Sequence, residues 1–452
     1  MNAKYLILAL SLATAPLFGQ EKLTLEQCRE LALAHNKELT ASGHQTDAAR
    51  FTMRSYRGNF FPNISLSGTG LYSTGDGSFS MTGGNLPTYT ADALGQYLAD
   101  GGFAYFPGMA LDYKIGAVYM GGIDLEQPIY MGGKIRAAYR MSVLSHEMAQ
   151  ANQKLTATEV ILGTDQAYAQ LVKAKEMHKV ALTYHALLKE LINNVESAYR
   201  HGLKPKNDVL KVQVKLNEGE LSVRRAENAV RLATMNLCHY IGLPLSSEIE
   251  VDDELPFVAD ISAMQAGDIS LRPEYTILDR QEAIASQQVR LNRSELLPQV
   301  GLKGSYNYLH GIEVNDETLI DKGAFSVFLN VSIPLYHFGE RSNKVRAAKA
   351  KLQQTRLERE SQQEQMLLEL SQAANNLDEA QLESRLANES LTQAEENMRV
   401  SRSQYELGLE TLSDHLESQV LWQQAYETKI DAAFQLYLSY IAYLKAGGRL
   451  VE

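Results

Sequence analysis

Two kinds of hydrophobic period alternate along the chain. Over 339–408 the small and apolar positions Met366, Leu370, Ala373, Leu377, Ala380, Ser384, Ala387, Leu391, Ala394, Met398, Ser401 and Tyr405 step strictly by four and three. That 3.5-residue repeat, held for more than five heptads, predicts a long helix in a left-handed supercoil. The seam is rich in Ala and Ser, so neighbouring helices can approach closely, which suits a broad helical wall better than a leucine-packed dimer. Elsewhere the period falls to two. Phe325, Val327, Leu329, Val331 and Ile333 alternate with Ser326, Phe328, Asn330 and Ser332, and Ile64, Leu66 and Val300, Leu302 behave alike. This is the pattern of strands with one apolar face.

The two patterns occur twice, in one order. Asn59-Phe-Phe-Pro62-Asn-Ile-Ser-Leu66-Ser-Gly68 matches Glu295-Leu-Leu-Pro298-Gln-Val-Gly-Leu302-Lys-Gly304 at an offset of 236. Pro128-Ile-Tyr130 matches Pro334-Leu-Tyr336, Tyr199-Arg-His-Gly202-Leu203 matches Tyr405-Glu-Leu-Gly408-Leu409, and Asp208 and Leu210 match Asp414 and Leu416, all at 206. The change of offset locates a 30-residue insertion between Pro62 and Pro128. Residues 58–133 hold 16 of the 31 glycines, so a long, irregular loop is expected on the first hairpin.

Each repeat therefore reads helix, strand hairpin, long helix, turn, shorter helix. The first repeat, 21–255, has helix 23–60, hairpin 62–130, long helix 133–201 and helix 206–242. The second, 256–452, has helix 268–297, hairpin 298–336, long helix 339–408 and helix 410–446. No proline falls between Pro128 and Pro205 or after Pro334, so both long helices can be continuous. The fold class is α+β, mostly α: a long coiled-coil helical wall with four β-strands per chain.

Residues 1–20 read as a secretory signal, with Lys4 ahead of a short apolar run that ends near Gly19-Gln20. No later apolar run approaches 18 residues, so entry into a membrane would require a closed β-barrel. Four strands cannot close one, because a transmembrane barrel needs eight or more. A cyclic homotrimer would supply twelve. The net charge of −11 argues against nucleic acid as a partner. Mean hydropathy of −0.24 excludes a polytopic helical membrane protein. Cys28 and Cys238 form no disulfide framework, and a single bridge and two reduced core residues both remain open.

Motifs for an enzyme are missing: there is no HExxH, no G-x-S-x-G, no Walker loop and no metal-spaced cysteines, and the ten histidines are scattered. No catalytic residue, metal site or cofactor is expected. Asp414 and Glu417 stand three apart just past the second Gly-Leu turn, on one helical face. In a trimer they would form two acidic rings that favour cations. Their alternative reading is a solvated helix start, where acids suit the helix dipole. Gly202 and Gly408 are expected in a backbone conformation that only glycine adopts cheaply.

In its duplicated plan and these ordered motifs, nearly the whole chain resembles the TolC family of outer-membrane efflux proteins. The resemblance implies a trimer, with a twelve-strand barrel in outer-membrane lipid and a long α-helical tunnel in the periplasm of a Gram-negative bacterium. It also implies a periplasmic adaptor and an inner-membrane pump as partners. The Gly-Leu turns would then lie at the periplasmic tip, where exposed Leu203 and Leu409 contact the adaptor or pack on their own turns. Asp414 and Glu417 fall at the pore-constricting acids. Tyr405 and Asp208 fall at a phenol–carboxylate bond that holds the tip closed, although Tyr405 is also a seam residue. Where the best-known member carries an arginine, this chain has Glu410, with Lys204 and Lys206 on the other turn. A lock of swapped polarity is the expectation there, or docking charges for the adaptor. An efflux duct for small molecules is the leading function. A duct for protein export and a periplasmic coiled-coil scaffold are the alternatives.

Overall fold

A computed structural model describes residues 22–252, 255, 256, 258, 267–311, 313–315, 317, 318 and 321–450. The expected signal at 1–20 lies outside the described residues. In chain order the elements are α1 (Leu25–His35), α2 (Lys37–Gly58), β1 (Asn63–Tyr72), β2 (Asp76–Met81), β3 (Gly84–Ala91), β4 (Tyr97–Phe106), β5 (Met109–Lys114), β6 (Ala117–Met131), α3 (Lys134–Arg200) and α4 (Lys206–Tyr240). They continue with α5 (Pro273–Ser294), β7 (Gln299–His310), β8 (Glu313–Val314), β9 (Glu317–Thr318), β10 (Asp321–Ser332), α6 (Glu340–Glu406) and α7 (Leu412–Ala446). Both α3 and α6 run for 67 residues, about 100 Å at the rise of an α-helix. No described helix is long and apolar enough to cross a membrane.

The chain divides into two compact units. One comprises 1–50, 144–283 and 353–452, and the other 51–143 and 284–352.

The first unit is helical, and its apolar stripes set its cores. Leu25, Cys28 and Ala32 of α1 join Val160, Tyr168 and Leu171 of α3, Leu237 at the end of α4 and Tyr437 and Ile441 of α7. A second cluster gathers Leu188, Ile192 and Val195 of α3 with Val212 of α4, Leu391 of α6 and Leu412, Leu416 and Trp422 of α7. All twelve heptad positions from Met366 to Tyr405 are at least partly buried, while most positions between them are exposed. The 3.5-residue spacing thus marks the side of α6 that packs.

The second unit is built on a four-stranded antiparallel sheet in the order β1-β6-β7-β10. Its register aligns the apolar positions of all four strands. Leu66 faces Ile123, Ile123 faces Tyr306, Tyr306 faces Phe325, and Leu302 faces Leu329. Ile64, Leu66, Ile123, Phe325, Val327, Leu329 and Val331 form one apolar face that is at least half exposed. The opposite face carries Ser65, Asp124, Ser305 and Ser326 in register. There the Lys303 ammonium bridges Asp124 and Glu126 of the next strand, at 3.1 Å each. The sheet passes into α3 through Gly132 and Gly133, at φ +62° and +89°. A Cβ on Gly132 would come within 2.5 Å of the Ser294 carbonyl oxygen, so the turn requires glycine twice over.

Three expectations are corrected. The stretch 23–60 is two helices, because Asn36 is extended and its Oδ1 accepts from the N–H groups of Glu38 and Leu39 at 2.9 and 3.2 Å. An asparagine able to cap a new helix start ends the preceding one. The helix expected from 268 begins as α5 at Pro273, after a 3-10 turn, since proline fits the first helical position. The insertion is no irregular loop. β2 pairs with β5 and β3 with β4, and β5 joins β8 in a second sheet ordered β2-β5-β8-β9. Its glycines sit at turns and bulges between short strands, such as Gly95 and Gly101 at φ +76° and +74°.

Leu329→Arg, in the middle of the apolar face, is expected to cut the yield of folded protein in the outer membrane sharply. Asn330→Arg, one residue on and facing the polar side, is expected to leave that yield within about twofold. Quantifying heat-modifiable protein in outer-membrane fractions checks this, and equal yields would contradict the assignment of faces.

Candidate functional site

Two turns of one construction end the long helices. In each, glycine takes a left-handed conformation, Gly202 at φ +73° and Gly408 at +74°. Each turn closes with the same pair of bonds. The N–H of Gly202 donates to the Tyr199 carbonyl at 2.9 Å and that of Leu203 to Ala198 at 2.9 Å; Gly408 donates to Tyr405 at 3.1 Å and Leu409 to Gln404 at 2.8 Å. This helix-ending motif satisfies carbonyls that have no partner within the helix. A Cβ would meet no atom at either glycine, so backbone handedness alone requires it. The motif throws the next side chain outward, and Leu203 and Leu409 are 76% and 77% exposed.

After the second turn, Thr411 caps α7. Its hydroxyl accepts from the Asp414 N–H at 3.3 Å and donates to Asp414 Oδ2 at 2.7 Å. Asp414 is therefore held by its own helix start, yet it stays exposed. Glu417 is exposed on the same side of α7 and lines a groove of about 500 Å³ with Lys211, Val214, Leu416 and Val420. Lys211 crosses from α4 to donate to Ser413 at 3.0 Å. Asp414 thus takes part in capping its own helix, and both carboxylates stay exposed.

The expected Tyr405–Asp208 bond is not formed within the chain. The Tyr405 ring lies parallel to His415, with centroids 5.0 Å apart and planes at 4°, and the Lys204 ammonium sits 4.8 Å from its centroid. The phenol is pushed up, first by burial and then by the Asp208 charge. Asp208 is close enough to be felt without receiving a hydrogen bond. Nor does Glu410 meet Lys204 or Lys206 in the chain. Its Oε2 is buried by the chain itself and accepts no hydrogen bond there. Lys206 is exposed at the start of α4.

Sequence reasoning passed over His415, which is 4% exposed in the centre of the tip. Its Nδ1 lies 3.2 Å from the Ser401 hydroxyl and its Nε2 lies 3.0 Å from the Gln419 amide nitrogen. Both ring nitrogens therefore have a polar side chain within hydrogen-bond distance, one from α6 and one from α7. The available signal was a polar run at helical spacing, His415, Gln419 and Trp422, continuing the apolar Leu412 stripe. Scattered in sequence, the histidine pairs with Ser401 only once α6 and α7 pack. Arg402 ties the same region to α3 through Glu190 at 2.9 Å.

A family model described as "Outer membrane efflux protein" matches residues 28–243 and 280–449. Among solved structures, the chain resembles the CmeC outer membrane channel of Campylobacter jejuni, with a TM-score of 0.77 and 18% identity over 95% of this chain and 86% of that one. It likewise resembles VceC from Vibrio cholerae, with a TM-score of 0.74 and 16% identity over 94% and 96%. For the open-state MtrE outer membrane channel of Neisseria gonorrhoeae the TM-score is 0.73, at 16% identity over 94% and 89%. At these identities the likeness is one of fold. No curated protein sequence matches the chain.

Burial holds the His415 pKa below its ordinary 6.5, opposed by the charge of Glu410, with lesser influence from Arg402 and Glu406. Above pH 6.5 the ring is neutral whether folded or unfolded, and it adds no pH dependence. Below it the unfolded chain takes up a proton that the folded tip refuses, so stability falls as pH drops toward the folded value. Thermal melts of wild type and His415→Gln between pH 7.5 and 5.5 are expected to show a steeper loss in wild type. Parallel pH profiles would contradict a buried neutral histidine.

Proposed function

The chain belongs to the outer membrane efflux protein family, and from that premise we propose that three copies close into one duct through the outer membrane and periplasm. The duct passes small molecules delivered by a periplasmic adaptor and an inner-membrane pump, and it catalyses no reaction. The observation that carries this reading is the sheet β1-β6-β7-β10, with one apolar face and two unpaired edges. Unpaired strand edges cannot stay in lipid, and three such sheets joined edge to edge leave none. A second observation supports it. Leu357, Leu367, Leu368, Leu382 and Leu386 of α6 are about half exposed, on the sides of the helix away from its own seam. Neighbouring copies would cover them.

Around the threefold axis Asp414 and Glu417 become two rings of three carboxylates, which attract cations and narrow the tip. Glu410 faces Lys204 or Lys206 once the copies assemble and the tip rearranges, a lock of opposite polarity from that of the best-known member. Leu203 and Leu409 are the apolar knobs that the adaptor engages. Withdrawing the lock and these knobs together opens the tip.

Purified protein in a planar bilayer tests this. Wild type should show a small, cation-selective conductance. Asp414→Ala/Glu417→Ala should enlarge it and lower its selectivity, and Glu410→Lys should raise the leak. A channel indifferent to all three changes would leave a duct without this gate, and a protein that forms no channel in any variant would remove the duct.

A further inference from the structure

Cys28 and Cys238 lie far apart in sequence, and both are fully buried in the helical unit. The duct reading uses neither. Helix α1, which carries Cys28, is fastened at both ends to the chain that leaves α4, which carries Cys238. At its start, the Leu23 N–H donates to the Glu250 carbonyl at 2.8 Å, and Leu23 bridges to Val251. At its end, the Asn36 amide donates to the Tyr240 carbonyl at 3.2 Å. Gly242 lies so close that a Cβ on it would be 2.7 Å from that of His35.

The segment 240–251 therefore leads from the C-terminal end of α1 to its N-terminal end, and Ser247 lies between those two fastenings. The Cys238 thiol lies 3.7 Å from the Ser247 carbonyl oxygen, which it donates to. Cys28 is buried in a core with Leu237, Ile241 and Val251, which flank Cys238 or follow it along the chain. The electrostatics agree with this proximity. Burial pushes the Cys28 thiol up to about 12, and the charge of Cys238 is the next largest cause.

We propose that Cys28 and Cys238 are a disulfide-forming pair that ties α1 to the end of α4. Both are free thiols in the structure. An outer-membrane protein folds in an oxidising compartment, where such bonds form and persist. Once buried, neither thiol can ionise readily or be reached, so closure occurs during folding, by thiol–disulfide exchange with an oxidising protein disulfide. One cysteine, as thiolate, attacks that disulfide and releases one thiolate of the oxidant. The second cysteine, losing its proton, then displaces the oxidant from the mixed disulfide. The chain gives up two electrons and two protons, and the oxidant leaves as a dithiol.

The inference depends on the outer-membrane location and not on the gate, so a silent channel would not touch it. Full-length protein from quenched cell envelopes is unfolded in guanidinium, treated with a maleimide mass tag and weighed, with and without prior reduction. No tag before reduction and two tags after it is the expected result. In Cys28→Ser, one tag should appear without reduction, because Cys238 has lost its partner. Two tags on unreduced wild type would overturn the proposal, and that count needs no variant to fold.

Discussion

Strands β1 and β10 each leave one row of backbone N–H and C=O groups unpaired, and a membrane offers them no water. Everything else in the fold is compatible with that one demand being met by more copies of the chain. The apolar face continues across all four strands in register, so the sheet is finished for lipid in every respect except its edges. The polar face holds Asp124, Glu126 and Lys303 in contact, which suits a side that faces water. A lone sheet of this kind would expose its edges in lipid or bury its charges.

The helical part answers the same demand with different chemistry. A small-residue seam lets α6 settle against its neighbours, and the apolar leucines left over on its remaining sides ask for partners as the strand edges do. At the two Gly-Leu turns the duplication becomes unequal. Both turns share one backbone solution, a left-handed glycine followed by an exposed leucine. The helix starts beyond them differ: Pro205 leads α4 without a side-chain cap, while Thr411 and Asp414 cap α7. That asymmetry, along with the buried His415 on α7, distinguishes two turns that otherwise match residue for residue at Asp208 and Asp414.

Much of this was legible in the sequence. Heptad steps from Met366 to Tyr405 gave the packed side of α6, and the period-two runs gave the sheet with its faces. Glycine followed by leucine gave both turns. What escaped had three physical causes. Local capping overrode periodicity at Asn36, where one side chain replaced two helical hydrogen bonds. In the insertion, glycine was read as irregularity, but it serves the bends and bulges that let short strands pair. At the tip, the individual residues were legible and their partners were not. Tyr405 was expected on Asp208 and stacks on His415, because a ring contact between α6 and α7 depends on how two helices turn about their axes, which no single-helix pattern fixes.

The number of copies in the closed assembly bears most directly on the whole arrangement. Native mass spectrometry of protein extracted from the outer membrane in mild detergent would count them. Three copies, stable until heated, is the mass expected of sheets joined edge to edge. A single copy that keeps its strands folded in detergent would contradict closure by trimer, and with it the shared duct.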